Sequence, residues 1–320
     1  KYSYLFLDLP KAQYTLRLVH ALVQLRGHPW IGGLAGIMMQ PPLYTDIYMV
    51  FNTSKKAIFQ FHELQTEQTE RRVKKLLFQL VGTLARVHSV GICHTVPADY
   101  WYETVEGLKV LGWHNARVIN VPYIHKPFDF EYDDHGPAPE LLCRNSIVDE
   151  KVDSWGIGMT LVAMLSQIHP LPAVWQHNIS TIPEMFEFCG APTVESLDWI
   201  QDQTTRMVVE QTLTKTPTSL PPTCDRICRE IGPVAGDLFT KLVQLDPRDR
   251  ISAAEALRHP FFDEVRCDAD LNQAVDCVKN KPAMSVKELD ASITAKQIQL
   301  GFFRVMQQLQ EDHKKEHACR

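Results

Sequence analysis

The sequence contains no apolar run long enough to span a bilayer. Its most apolar stretch, Gly156 to Ile168, is too short for that and reads as a buried core helix. Positive charge is not in excess: 33 Lys and Arg stand against 38 Asp and Glu, for a formal net charge of -5. That balance argues against nucleic acid as a partner, because a phosphate backbone is bound through basic surface. Glycine and proline, 15 and 20 residues, follow no period, which excludes collagen-like and low-complexity chains. Of the eight cysteines only Cys224 and Cys228 lie close together, and no second pair or nearby His completes a zinc site. The thiols read as buried groups in a reducing compartment. The chain begins with Lys1 and has no signal-like apolar region, so it reads as a fragment. What is present is 45% hydrophobic residues over 320 positions, enough for a sizeable core in one large domain or two lobes.

The first third is mixed in character. Tyr4-Leu5-Phe6-Leu7 reads as a short strand. Leu16, Val19, Leu22, Val23 and Leu25 then recur at helical spacing, and Gly27-His28-Pro29 ends that helix. Leu34 to Met39 and Asp46 to Phe51 read as two strands around a Gln40-Pro41-Pro42 turn. Val73, Leu76, Leu77, Leu80, Val81, Leu84 and Val87 form the apolar stripe of a long helix. From Ile92 to Pro139 prolines and aromatics cluster without helical period, and a loop of that length usually has a function. Val152 to Leu165 reads as a buried helix, and Pro221 to Ala256 holds at least two more. In the tail, Ser285 and Glu288 have capping-box spacing, and Ile298, Phe302, Val305, Met306 and Leu309 make an apolar stripe. A helix over 286–309 is expected to pack on the C-terminal lobe or in a partner groove.

Several peptides carry a resemblance. The run from Asp246 to Phe262, which opens Asp246-Pro247-Arg248-Asp249-Arg250-Ile251 and closes His259-Pro260-Phe261-Phe262, is nearly a consensus of the eukaryotic protein kinase family. Asp153-Ser154-Trp155-Gly156-Ile157-Gly158 is similar to the start of that family's buried central helix, and Ala138-Pro139-Glu140 to the close of its activation segment. Cys189-Gly190-Ala191-Pro192-Thr193 and Trp199 resemble the cyclin-dependent and MAP kinase group. The likeness runs from about Tyr4 to Asp263. It implies an α+β, bilobal kinase-like fold with a truncated β-rich N-lobe, a helical C-lobe and a C-terminal helical extension. The corresponding segments are 1–53, 54–266 and 267–320. It also implies structural roles: Glu140 paired with Arg250, Asp153 accepting backbone N–H bonds from the loop after Cys93, and Trp155 in the central helix.

The same resemblance shows where chemistry-bearing residues differ. Phosphoryl transfer needs a carboxylate beside the accepting hydroxyl, metal ligands, and a lysine on the nucleotide phosphates. Val87-His88-Ser89-Val90-Gly91-Ile92-Cys93-His94 resembles the lead-in to the catalytic loop, and Val96 then stands at the catalytic Asp and Trp101 at the metal-binding Asn. Gly112-Trp113-His114 occupies the Asp-Phe-Gly position, so Gly112 replaces a second metal ligand. Val19 stands where a helix Glu is expected. Valine accepts no proton and tryptophan offers Mg²⁺ no acceptor. Asp99 is a candidate substitute base but reads more simply as a turn carboxylate. The acidic run Asp129, Glu131, Asp133, Asp134 and His135 reads as a solvated loop.

From these positions the chain is expected to be no enzyme but an inactive kinase-like scaffold, or pseudokinase. It would bind other proteins, as part of a larger assembly, without cofactor or metal and without nucleic-acid or membrane partners. The compartment implied is intracellular, cytoplasmic or nuclear. The alternatives are a nucleotide-binding switch without phosphoryl transfer, and an atypical active serine/threonine kinase.

Overall fold

A computed structural model describes residues 5–39, 46–51, 70–95, 101–104, 107–113, 116–122, 137–165, 182–214, 223–266 and 294–318. The first regular helix, α1 (Leu9–Gln24), starts because Asp8 takes the N-cap position: its carboxylate accepts from the Lys11 N–H at 3.1 Å, and Pro10 sits in the first turn. These same residues correct the strand expected at the beginning of the chain. Leu5–Leu7 forms a 3-10 turn that leads into the cap. Ala12, Leu16, Val19 and Leu22, three to four residues apart, form the buried face of α1. Gly27, at φ +80°, turns the chain out of the helix region.

Strands β1 (Leu34–Met39) and β2 (Ile47–Phe51) pair antiparallel, with Ile37 opposite Met49 and Met39 opposite Ile47. Helix α2 (Glu70–Ser89) turns its apolar stripe into the core. Within the stretch without helical period, described residues form very short strands. β3 (Ile92–Cys93) pairs with β6 (Arg117–Val118), and between them β4 (Trp101–Thr104) and β5 (Gly107–Val110) make a hairpin. Behind them run α3 (Pro139–Leu142), α4 (Lys151–Leu165), α5 (Ile182–Cys189), α6 (Gln203–Leu213), α7 (Thr223–Ile231) and α8 (Pro233–Leu242). The short helices α9 (Ala253–Ala256) and α10 (Asp263–Arg266) follow.

Helix α4 is the centre of the larger lobe. Every residue from Val152 to Leu165 is buried, so the helix has no polar face to give to water. Gly158 lets α8 come close, since a Cβ there would collide with Val243 and crowd Leu242. The result is a helix-rich α+β, bilobal architecture, with β1, β2 and α1 on one side and the α4-centred bundle on the other.

The last helix, α11 (Ala295–Ala318), is where the fold departs most from the sequence reading. The Ser285/Glu288 spacing lies outside the described residues. The observed start is capped by Thr294 and Gln297: the Gln297 side chain accepts from the Thr294 N–H at 2.8 Å, and the Thr294 hydroxyl accepts from the Gln297 N–H at 3.4 Å. Ile298, Phe302, Val305 and Leu309 are buried, but against α1 and β1 rather than on the C-terminal lobe or in a vacant groove. Phe302 meets Phe6 edge-to-face at 5.9 Å, and Arg26 pairs with Asp312 at 3.1 Å. A stripe of four apolar side chains must be buried somewhere, and the open face of α1 lies nearest.

Gly301 is the closest point of this contact: a Cβ there would stand 2.7 Å from Leu16 Cδ2. Gly301→Val is therefore expected to cost about 1–3 kcal/mol by overpacking. In a Leu16→Ala background, where the space is vacated, the same substitution is expected to cost clearly less. Chemical unfolding of the four species of this cycle measures the difference. Equal costs in both backgrounds would refute the contact.

Candidate active site

The chain segments named by the sequence motifs converge around Asp153, in the first turn of α4. Its side chain is fully buried and has three donors: the His94 N–H at 2.8 Å, the Thr95 N–H at 2.7 Å and the His88 ring Nε2 at 2.8 Å. A carboxylate accepts several hydrogen bonds at once, which is how one residue ties the end of α2, the 94–95 loop and α4 together. Thr95 is held at φ +75°, a left-handed conformation that is costly for a β-branched residue. The two short bonds to Asp153 hold the loop in that shape. His88 is the member of this network that sequence reasoning missed: it was noticed as part of a peptide and not as a ligand for the carboxylate.

His94 continues the network. Its Nε2–H donates to the Leu111 carbonyl at 2.5 Å, which assigns the tautomer, and its ring meets Trp113 edge-to-face at 5.0 Å. Trp113 in turn donates from Nε1 to the Gly32 carbonyl at 3.1 Å. The 30–32 segment is also bonded to β5, through Gly32 N–H to Val110 O at 2.9 Å and Val110 N–H to Trp30 O at 2.8 Å. A continuous path of hydrogen bonds and rings therefore joins α4, the 94–95 loop, the Leu111-Gly112-Trp113 turn and the segment after α1. Gly112 has φ +81°, which a glycine adopts freely.

The remaining positions fall as follows. Trp101 opens β4 opposite Val110 and is 2% exposed, as is Trp113, so both indoles are packed into the core. Val19 is fully buried on α1. Val96 and Asp99, and the acidic run 129–135, lie outside the described residues. Cys93, fully buried beside this network, is no nucleophile: burial first, then the charge of Asp153, pushes its thiol well above the ordinary range. Among the described residues no group of three or more His, Cys, Asp or Glu is arranged to hold a metal ion. No described helix is long and apolar enough to cross a membrane.

A second buried centre lies on the other side of α4. Glu140, in the first turn of α3, receives two parallel bonds from Arg250: Nη1 to Oε1 and Nη2 to Oε2, each 2.8 Å. Both side chains are at most 3% exposed. Arg250 also donates to the carbonyls of Gln244, Lys151 and Leu245, at 2.8, 2.9 and 3.3 Å, and its guanidinium lies 5.4 Å from the centroid of the Trp155 ring. The charge is thus satisfied by a fork of acceptors in one plane. Sequence reasoning identified Glu140 and Arg250 but not the three carbonyls, which belong to backbone and carry no residue signature.

Comparison with known proteins gives three consistent findings. Residues 10–262 match the family described as protein kinase domain. The chain is 29% identical over 204 residues to protein kinase gsk3 of Schizosaccharomyces pombe, covering 61% of this chain and 48% of that protein. It is 24% identical over 277 residues to mitogen-activated protein kinase 6 of Arabidopsis thaliana, covering 83% of this chain and 65% of that one. The chain thus spans about half to two thirds of the length of these relatives. Among solved structures, a MAP kinase of Leishmania major, LmaMPK10, superposes with a TM-score of 0.67 at 18% identity, covering 95% of this chain and 82% of that one.

These matches correct the expectation that the chain is no enzyme. The domain matched is the protein kinase domain, and the relatives are named as kinases. Val96, Trp101, Gly112 and Val19 record which side chains stand at four positions. A missing side chain does not exclude chemistry carried by other groups.

Proposed function

The chain belongs to the protein kinase family, and we propose that it works there as a nucleotide-responsive, protein-binding module of the GSK3/MAP-kinase-like kind. The observation that carries this reading is the match of residues 10–262 to the protein kinase domain. The geometry supports it at one point. The Asp153 network couples the 94–95 loop, the Leu111–Trp113 turn and the segment after α1, so an occupant between them acts on both lobes at once. In this reading residues 1–53 and 54–266 are the two lobes, 267–320 is an extension, and the partner is another protein.

A thermal-shift titration with ATP, with and without Mg²⁺ or Mn²⁺, tests the proposal. A ligand that binds only the native state at a hundred times its Kd stabilises it by about 2.7 kcal/mol, so the melting temperature is expected to rise with nucleotide. No rise at millimolar nucleotide would sink the reading. The names of the relatives favour a second reading, an atypical serine/threonine kinase. It expects label transfer from ATP to a protein acceptor, lost in Asp99→Ala; transfer unchanged in that variant would remove Asp99 from the chemistry.

A further inference from the structure

Near the end of α2, Arg86 is a buried charge: the residue is 4% exposed, and its guanidinium donates to the Ser89 hydroxyl at 3.1 Å. Among the described residues no carboxylate pairs with it. Taking a guanidinium out of water is costly, and buried charges ordinarily have a partner of opposite sign. Ser89 is exposed, so the guanidinium lies just beneath the surface. Its surroundings follow from bonded contacts. Gln79, two turns earlier on the same face of α2, accepts from the Leu108 N–H of β5 at 3.3 Å, and His94, beyond the end of α2, donates to the Leu111 carbonyl at 2.5 Å. Helix and strand thus run side by side in one direction, and Arg86 stands alongside residues 109–111. The His28-Pro29-Trp30 turn reaches the same stretch of β5: Lys109 Nζ donates to the Pro29 carbonyl at 2.5 Å, and the Val110 N–H to the Trp30 carbonyl at 2.8 Å. Within that turn the Trp30 N–H donates to His28 Nδ1 at 3.2 Å, which assigns the proton of the neutral ring to Nε2. Nε2 is buried, and among the described residues nothing accepts from it. Burial first, then the positive charges of Arg86 and Lys109, pushes the ring down to about 4 and keeps it neutral at pH 7.

We propose that Arg86 and His28, with the charge of Lys109, form a binding site for an oxyanion of the phosphate class, at the junction of α2, β5 and the turn after α1. The guanidinium offers paired N–H donors and a permanent charge, the geometry that suits phosphate oxygens. His28 Nε2–H offers a neutral donor that needs an acceptor. Two cationic side chains match a phosphate, which carries more than one negative charge at pH 7, better than they match a single carboxylate. None of the three takes part in the bonds to Asp153, so the site is separate from that network. An occupant that accepts from both Arg86 and His28 ties α2 to the turn that follows α1.

The experiment titrates the full chain with inorganic phosphate at pH 7, against chloride at equal ionic strength and without nucleotide, so its result does not depend on the nucleotide reading. The melting temperature is expected to climb to a plateau, as binding to the native state requires. General exclusion of phosphate from protein surface also stabilises, but without a plateau and equally in every variant. Arg86→Met keeps the bulk of the stem and removes the charge. In it the phosphate needed for half the effect is expected to rise about ten- to a hundredfold, the worth of hydrogen bonds to a charged group. The principal readout is on the unsubstituted chain, so a variant that folds poorly does not remove the test. In nitrogen-15 histidine spectra the His28 Nε2 signal, recognised by its loss in His28→Gln, is expected to move over the same phosphate range while the ring stays neutral. O-phosphoserine in place of phosphate separates the sources: an equal response means that the site accepts a phosphate carried on a larger molecule, and none that it takes the free ion. Equal stabilisation of the parent and Arg86→Met, or a His28 signal that stays still while phosphate stabilises, overturns the proposal.

Discussion

Glu140→Ala is expected to lower the stability of the chain by about 3–5 kcal/mol, the range for breaking a buried ion pair from one side. The physical reason is the charge left behind. Arg250 is fully buried at its side chain, and among the described residues Glu140 supplies the one carboxylate that accepts from its fork, through two 2.8 Å bonds. The carbonyls of Gln244, Lys151 and Leu245 still accept from the guanidinium, but a carbonyl neutralises no charge. Replacing both partners is expected to be milder: Glu140→Leu with Arg250→Met removes the stranded charge and fills the space beside Trp155. Denaturant midpoints of the single and double variants decide it. A single variant within about 0.5 kcal/mol of the parent, the range of ordinary surface substitutions, would mean that water reaches Arg250 and that the centre is not closed.

The second large effect is at Asp153. Asp153→Ala leaves the His94 and Thr95 N–H groups and the His88 ring without their shared acceptor. Each stranded buried donor costs about 1–3 kcal/mol, so a total loss on the order of 4 kcal/mol is expected. The consequence is also local. Thr95 keeps its left-handed backbone because two short bonds hold it, and without them the loop relaxes toward ordinary conformations. Native-state hydrogen exchange is expected to show His94 and Thr95 losing protection more than the helices around them. Asp153→Asn should fall between, since its amide offers one accepting oxygen and turns a donor toward the other N–H. If exchange at 94–95 is unchanged in Asp153→Ala, the carboxylate does not hold the loop.

Much of this was legible in the chain. Long apolar segments announce themselves: α2 falls where its apolar spacing puts it, and α4 where its unbroken apolar run does. Leu5–Leu7 was misread because an apolar triplet suits a strand as well as a turn; the deciding signal, Asp8 with Pro10 just inside the helix, was available. The short strands between 92 and 118 were not legible, because strands of two to four residues are too short to show a period. For α11 the stripe was visible but its address was not: an apolar face states that it needs covering and does not name the surface that covers it. At the site, Glu140, Arg250 and Asp153 were legible as residues, whereas His88 and the accepting carbonyls appear only once the chain is folded. The inference of inactivity went wrong differently. It treated absent side chains as a statement about the whole reaction, and the kinship of the chain points the other way.

The seating of α11 on α1 also orders events during synthesis. Leu16 leaves the ribosome well before Gly301 and Phe302, which cover that face, are made. At about 5–20 residues per second, the apolar side of α1 waits tens of seconds for its cover. During that interval the nascent chain presents Leu16 and its neighbours to whatever hydrophobic surface is at hand. The lobe that begins with α1 is therefore closed only once α11 has been made, and its assembly depends on that helix being intact.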